Sequence, residues 1–259
     1  MMAARIFVLA LLVSALVAAC ATSPLGRRTL RFFPESELAQ MGAAAFDETR
    51  AKTPASRDSR QNRYVSCVGD AITRETGGNW EVAVFQDEAA NAFALPGGKI
   101  GVYTGLLDVA RTQDQLAAVI GHEVAHVQAQ HANERISTAF AADAGLNLVD
   151  AIYGGTGNGR TAMALLGLGT QVGVLLPFGR AQESEADLLG LDLMARAGFD
   201  PQEAVALWRN MGSAGGSRAP EFISTHPSHA TRIEDPQKRM PDARRLYDAA
   251  RVAGKKPRC

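Results

Sequence analysis

With 259 residues, 46% of them hydrophobic, the chain can bury a full core as one domain or a compact pair. Lys plus Arg and Asp plus Glu number 27 each, so net charge is zero and no basic tail stands out. That balance argues against nucleic acid as the main partner and leaves protein or peptide substrates open.

The chain opens on a leader. Arg5 precedes an apolar run from Ile6 to Ala19, broken only by Ser14 and ending Val17-Ala18-Ala19-Cys20. A positive start, a short apolar stretch and small residues before a cleavage point describe a secretory signal, residues 1–19. The run is short for a membrane span. Cys20 after the small residues resembles the bacterial lipobox, which implies a diacylated Cys20 and a lipid anchor. Ala21, rather than Asp, then favours the periplasmic side of a Gram-negative outer membrane. The alternative is a plain signal peptide or N-terminal membrane helix with an incidental Cys. With Cys20 lipidated, Cys67 and Cys259 remain. They form either a disulfide in an oxidising compartment, stapling the C-terminal tail to an early helix, or two unrelated thiols.

Residues 20–34, with Pro24, Gly26, Arg27 and Arg28, read as a linker from the anchor, and residues 35–259 as one domain. A helical pattern runs from Glu35 to about Lys52, and a second helix covers Ser59 to Glu75, ended by Gly77-Gly78. Trp80 to Gln86 alternates as a strand. A second extended piece, Asn91 to Leu95, meets a Pro96-Gly97-Gly98 turn and a third strand, Lys99 to Thr104. These predict a small antiparallel sheet, followed by a short helix near Gly105 to Arg111. Thr112 then starts a long helix expected to reach about Arg135. Ser137 to Gly179 is rich in Ala, Leu and Gly. Its uncharged window, Thr161 to Gly179, reads as packed helices or, by length alone, a membrane span. Helices follow at 182–197 and from Pro201 to about Met211. Ser213 to Ser217 is a loop, and the segment from Pro227 is helical with a break at Pro241.

The long helix carries His122-Glu123-Val124-Ala125-His126. Residues four apart share a helix face, so both imidazoles can reach one metal ion while Glu123 projects toward a metal-bound water. Zn²⁺ suits such nitrogen ligands, and a catalytic site adds a third protein ligand and a water. The pattern reads as a metallopeptidase site. A third His placed six residues after His126 is ruled out, because Ala129 and Ala132 stand at the required Gly and His positions. A Glu about two dozen residues after the pair is missing too. Farther on, Glu183, Ala186 and Asp187 make a Glu-x-x-Ala-Asp pattern. Glu183 and Asp187 lie one helical turn apart, and Glu185 points elsewhere, to a solvated face. An acidic first turn of a helix is the bland reading of this segment.

Here the chain resembles the zinc peptidase family of HtpX and the CAAX prenyl proteases. The resemblance covers roughly residues 35–240. It includes Asn91 to Ile100, Thr104-Gly105-Leu106-Leu107, Ser224-Thr225-His226-Pro227-Ser228 and Arg232-Ile233. It is nearest the periplasmic lipoprotein subgroup similar to BepA and LoiP. It implies a mainly α, α+β gluzincin-like fold with the small sheet beside the motif helix. It also implies one Zn²⁺ held by His122, His126 and Glu183, with Asp187 hydrogen-bonding a ligand imidazole. His226 either stabilises an oxyanion, latches the fourth zinc position, or merely satisfies loop carbonyls. His131 and His229 read as structural or surface residues.

The expected activity is a zinc endopeptidase of the bacterial envelope with Glu123 as general base. Residues Asn91, Ala92, Phe93 and Ala94 would bind unfolded or misassembled proteins by strand addition. The competing expectation is a chaperone or assembly factor for outer-membrane proteins with a latched, rarely active site, working with the outer-membrane assembly machinery. A structural zinc protein is a third reading, which the intact Glu123 argues against.

Overall fold

The computed structural model describes residues 20–153, 178–213, 222, 226 and 231–259. In chain order these form β1 (Cys20–Thr22), β2 (Arg28–Leu30), α1 (Glu35–Lys52), α2 (Ser59–Thr73), β3 (Glu81–Phe85), β4 (Ala92–Leu95), β5 (Lys99–Tyr103), α3 (Leu106–Val109), α4 (Gln113–Gln128), α5 (His131–Tyr153), α6 (Arg180–Arg196), α7 (Gln202–Ser213) and α8 (Thr231–Val252). The fold is mainly helical α+β, as the sequence implies. The expected leader, the Cys20 side chain, the apolar window up to residue 177, the loop after Ser213, and the residues flanking His226, His229 among them, lie outside the described residues. Among those described, no helix is long and apolar enough to cross a membrane.

Helix α4 sits at the centre, with α2, α6, α7 and β4 packed around it. Its start is fixed by Thr112, whose hydroxyl accepts from the Gln115 N–H at 3.2 Å and satisfies one of the amides a helix start leaves open. Leu116, Ala117, Ile120, Val124 and Ala125 are wholly buried. Helix α6 crosses it at Gly121 and Gly190. A Cβ on Gly190 would stand 2.7 Å from the His122 nitrogen, so only paired glycines allow this backbone-to-backbone approach. The crossing brings α6 close enough for its side chains to meet the histidines.

Helix α4 ends at Gln128 rather than reaching Arg135. Gln130 takes a left-handed φ of 54°, and α5 starts afresh at His131. A non-glycine residue in that region costs about 1–2 kcal/mol. The hydrogen bonds that His131 and Asn133 make just beyond the bend, to His126, Glu185 and the Phe33 carbonyl, offset it.

The sheet order is β3-β5-β4, with β3 and β5 parallel and β4 and β5 antiparallel. It is therefore mixed, not wholly antiparallel as expected. The Pro96-Gly97-Gly98 turn, with φ of 84° and 75° at its glycines, folds β5 back between its predecessors. Strand β4 is left at the edge, against α4. On the other face Phe46 of α1 packs on Phe85 and Phe93, the Phe46 and Phe85 rings 5.8 Å apart, and Tyr103 meets the rings of Phe85 and Phe93.

Both described chain ends are tied down. Residues 20–34, expected as a linker, contain the β1–β2 hairpin and run on along α5. The Phe32 N–H donates to Ser137 Oγ at 2.8 Å, and Asn133 Nδ2 donates to the Phe33 carbonyl at 2.8 Å. At the far end Cys67 and Cys259 are joined in a disulfide. Helix α8 passes through Pro236 and Pro241 without the expected break. A proline inside a helix costs about 3 kcal/mol. Burial of Ala243 and packing of Met240, Leu246 and Tyr247 on the core hold the helix through it.

Candidate metal centre

The i,i+4 spacing on α4 and the Gly121–Gly190 crossing bring His122, His126 and Glu183 to one point, and the His226 N–H, donating to the Phe222 carbonyl, helps hold a fourth side chain there. Ligand atoms of His122, His126, Glu183 and His226, all buried, lie within 4.8 Å of one another. His122 Nε2 is 3.0 Å from His126 Nε2 and 3.5 Å from Glu183 Oε2. His126 Nε2 is 3.5 Å from Glu183 Oε1. His226 Nδ1 stands 3.2 Å from His122 Nε2 and 3.0 Å from Glu183 Oε1. Donors each about 2.0–2.1 Å from a tetrahedral zinc would sit about 3.3 Å apart. The three-nitrogen, one-carboxylate set fits one zinc ion by spacing and by chemistry.

The electrostatics agree with that use. Burial pushes His126 well below its ordinary value, toward the neutral imidazole that a metal needs. Burial opposes ionisation of Glu183, but its hydrogen bonds with His122 and His226 win and hold it well below the usual carboxylate range. Asp187 Oδ1 meets His122 Nδ1 at 2.9 Å, which turns Nε2 of that ring toward the group.

Glu123 lies beside the four donors. Burial raises its pKa, the neighbouring imidazoles of His226 and His122 lower it less, and the Ala94 N–H donates to Oε2 at 3.3 Å. Its Oε1 is buried, has no hydrogen bond among the described residues, and faces His226 Nε2 at 3.4 Å. A carboxylate biased toward holding a proton, beside a metal group, is what a general base requires.

The edge strand divides its residues. Ala94 and Ala92 lie against α4, and Ala94 touches Glu123 through its backbone. The Phe93 ring turns to the aromatic cluster on the opposite face, so toward the metal group it has only backbone to offer. Asn91 uses Oδ1 to accept from the Ala92 N–H at 2.9 Å and its carbonyl to accept from Tyr103. A cavity of about 220 Å³ runs from this edge to His126, bordered by Glu35, Pro96, Gln130 and Phe178.

Several residues that shape the site have no signal at sequence level. Phe178 stacks on His126 with centroids 3.7 Å apart, and Phe222 stacks on His226 at 4.4 Å. Arg135 lies over Phe178 at 3.7 Å, and burial brings its guanidinium down to about 10. Glu185 is not on a solvated face. It is buried, bonded to His131 and Arg27, and held at about 2 by hydrogen bonds from His131, Ser23 and Arg27 acting against burial. His131 itself is fully buried, 2.8 Å from His126.

A model of peptidase family M48 matches residues 55–240. The chain belongs to that family. Its relatives include the mitochondrial metalloendopeptidase OMA1 of Schizosaccharomyces pombe, 40% identical over 192 residues, covering 70% of this chain and 53% of that one. The human metalloendopeptidase OMA1, mitochondrial, is 31% identical over 178 residues, 66% of this chain and 34% of the relative. The beta-barrel assembly-enhancing protease of Escherichia coli is 25% identical over 210 residues, covering 77% and 43%. The chain spans about half the length, or less, of the curated relatives it matches. All four metal donors and Glu123 fall inside the family match.

Proposed function

We propose that the chain is a zinc-dependent endopeptidase that cuts unfolded or misassembled proteins of the bacterial envelope. The carrying observation is the group of four buried donors lying within 4.8 Å of one another, with Glu123 at its side. A zinc ion bound there would lower the pKa of a water and polarise the scissile carbonyl. Glu123 takes the proton from the attacking water and delivers it to the leaving nitrogen, and the Ala94 N–H orients its carboxylate. On the edge strand β4, the N–H groups of Ala92 and Ala94 already donate to Asn91 and Glu123, so these residues would offer their carbonyls to an extended chain, with little demand on its side chains. Glu123→Gln should abolish casein digestion while leaving folding and zinc content unchanged. Digestion by that variant at the parental rate sinks the mechanism.

The expected leader supports a placement. We propose membership of the lipoprotein subgroup similar to BepA and LoiP, with Cys20 lipidated on the periplasmic side of the outer membrane. The E. coli relative, whose name ties it to β-barrel assembly, supports this reading, while the relatives of higher identity carry mitochondrial names. Metabolic labelling with palmitate should mark the chain and be lost in Cys20→Ser.

One observation favours a second reading, an assembly factor or chaperone for outer-membrane proteins that cleaves rarely. His226 Nδ1 stands where a fourth ligand belongs, a position that a catalytic site keeps for water. A latch predicts that His226→Ala raises basal casein cleavage. An oxyanion role for His226 predicts a loss.

A further inference from the structure

The two histidines of the motif are supported differently. His122 meets a carboxylate directly, at Asp187. His126 meets another histidine. Its Nε2 faces the other donors, so that nitrogen must carry the lone pair when a metal is held, and the ring proton must sit on Nδ1. His126 Nδ1 lies 2.8 Å from His131 Nδ1. Two ring nitrogens at that distance share one proton, so His131 accepts there and carries its own proton on Nε2. His131 Nε2 lies 3.1 Å from Glu185 Oε2, a carboxylate able to accept it. The run has one consistent proton arrangement, and the carboxylate at its end fixes it.

Glu185 is in turn held from the N-terminal hairpin. The Leu25 N–H donates to Oε1 at 3.1 Å, and Arg27 donates to Oε2 from Nε at 3.1 Å and from Nη2 at 2.9 Å. Arg27 grips Glu134 of α5 with the same guanidinium, and Gln182 Nε2 donates to Glu134 at 2.8 Å. A planar fork between two carboxylates fixes both. The contacts therefore run unbroken from the turn between β1 and β2 to a metal donor.

We propose that His131 and Glu185 are positioning residues for the metal ligand His126, and that Arg27 ties the N-terminal hairpin to that ligand through them. The assignment rests on the zinc-site reading and adds residues to it. Outer partners of a ligand histidine set its tautomer and ring orientation, and losing one typically weakens metal binding about 10- to 100-fold.

The test is zinc affinity of the full chain by competition with a chromophoric chelator, alongside the visible spectrum of the Co²⁺-loaded protein and thermal unfolding of the zinc-free protein. Glu185→Gln and His131→Leu should each weaken zinc binding about 10- to 100-fold and shift the Co²⁺ bands. The zinc-free variants should unfold near the parental temperature. His131→Asn, whose side-chain oxygen can accept from His126 Nδ1–H, should recover most of the affinity, and Arg27→Gln should lose part of it. Parental affinity and spectrum in Glu185→Gln and His131→Leu overturn the positioning role. So does a loss that merely follows destabilised zinc-free protein and is not rescued in His131→Asn. Should those two variants not fold, the other two decide: parental zinc binding by Arg27→Gln overturns the tie, and weakened binding beside a near-parental His131→Asn supports it. A parent protein that takes up no zinc overturns the metal site itself, a result distinct from a zinc-binding parent with equally competent variants.

Discussion

The two ends of helix α4 are secured by different chemistry. At its start, the C-terminal tail holds on through a covalent bond and two amide contacts. Cys259 is bonded to Cys67 of the neighbouring α2, its N–H donates to Gln113 Oε1 at 2.9 Å, and Gln113 Nε2 donates to the Pro257 carbonyl at 3.1 Å. At its finish, the N-terminal segment holds on through charge. Arg31 donates to the Ala129 carbonyl at 3.0 Å, where a cation complements the helix C-terminus, and Arg27 links Glu185 and Glu134. The metal donors lie toward the charged end. A covalent staple resists separation but aligns nothing finely, whereas directional hydrogen bonds can set a ring's orientation. The chain uses each where its property counts.

The largest effect should come from the crossing that serves both ends. Gly190→Val would press a side chain into the His122 backbone and should cost more than about 4 kcal/mol. Urea unfolding and zinc content should fall together. Next, Cys67→Ser should cost about 2–4 kcal/mol while the folded protein keeps its zinc. Zinc loss from that variant while still folded would break the contrast, by showing that the stapled end also governs the donors. Thr112→Ala removes a cap and should cost about 1 kcal/mol by the same denaturant measurement.

The smallest effect should be a difference in pH response. Burial raises the Glu134 pKa, but hydrogen bonds from Arg27 and Gln182 outweigh it and hold the folded value below 4.5. Its contribution is thus fully present above 4.5 and is lost as pH falls through the folded value. Hydrogen-exchange protection, taken relative to the intrinsic rate at each pH, should fall in residues 20–30 under acid while residues 253–259 stay protected until the disulfide is reduced. Equal acid response at both ends would count against the distinction.

What could be read from the sequence was local. His122 and His126, and again Glu183 and Asp187, are one helical turn apart, Glu123 is next to His122 in the chain, and Thr112 caps its own helix. What escaped was set by distant partners. Glu185 looks like one more acidic residue of a helix start until Arg27, 158 positions away, is folded onto it. The turn at Gln130 lacks the Gly or Pro that marks a helix end, and its cost is met by hydrogen bonds that His131 makes to distant partners. The parallel sense of β3 and β5 depends on which strand lies between which. Pro241 in isolation argues for a break, and only packing on the core overrides it.

The Cys67–Cys259 bond closes a ring of chain that contains His122, His126, Glu183 and His226 alike. A single cut anywhere in that ring leaves both pieces joined. A nicked molecule would therefore migrate at full mass on a gel without reductant and separate into two fragments only when the thiols are freed. Each pair of fragment masses would then mark the bond that was severed.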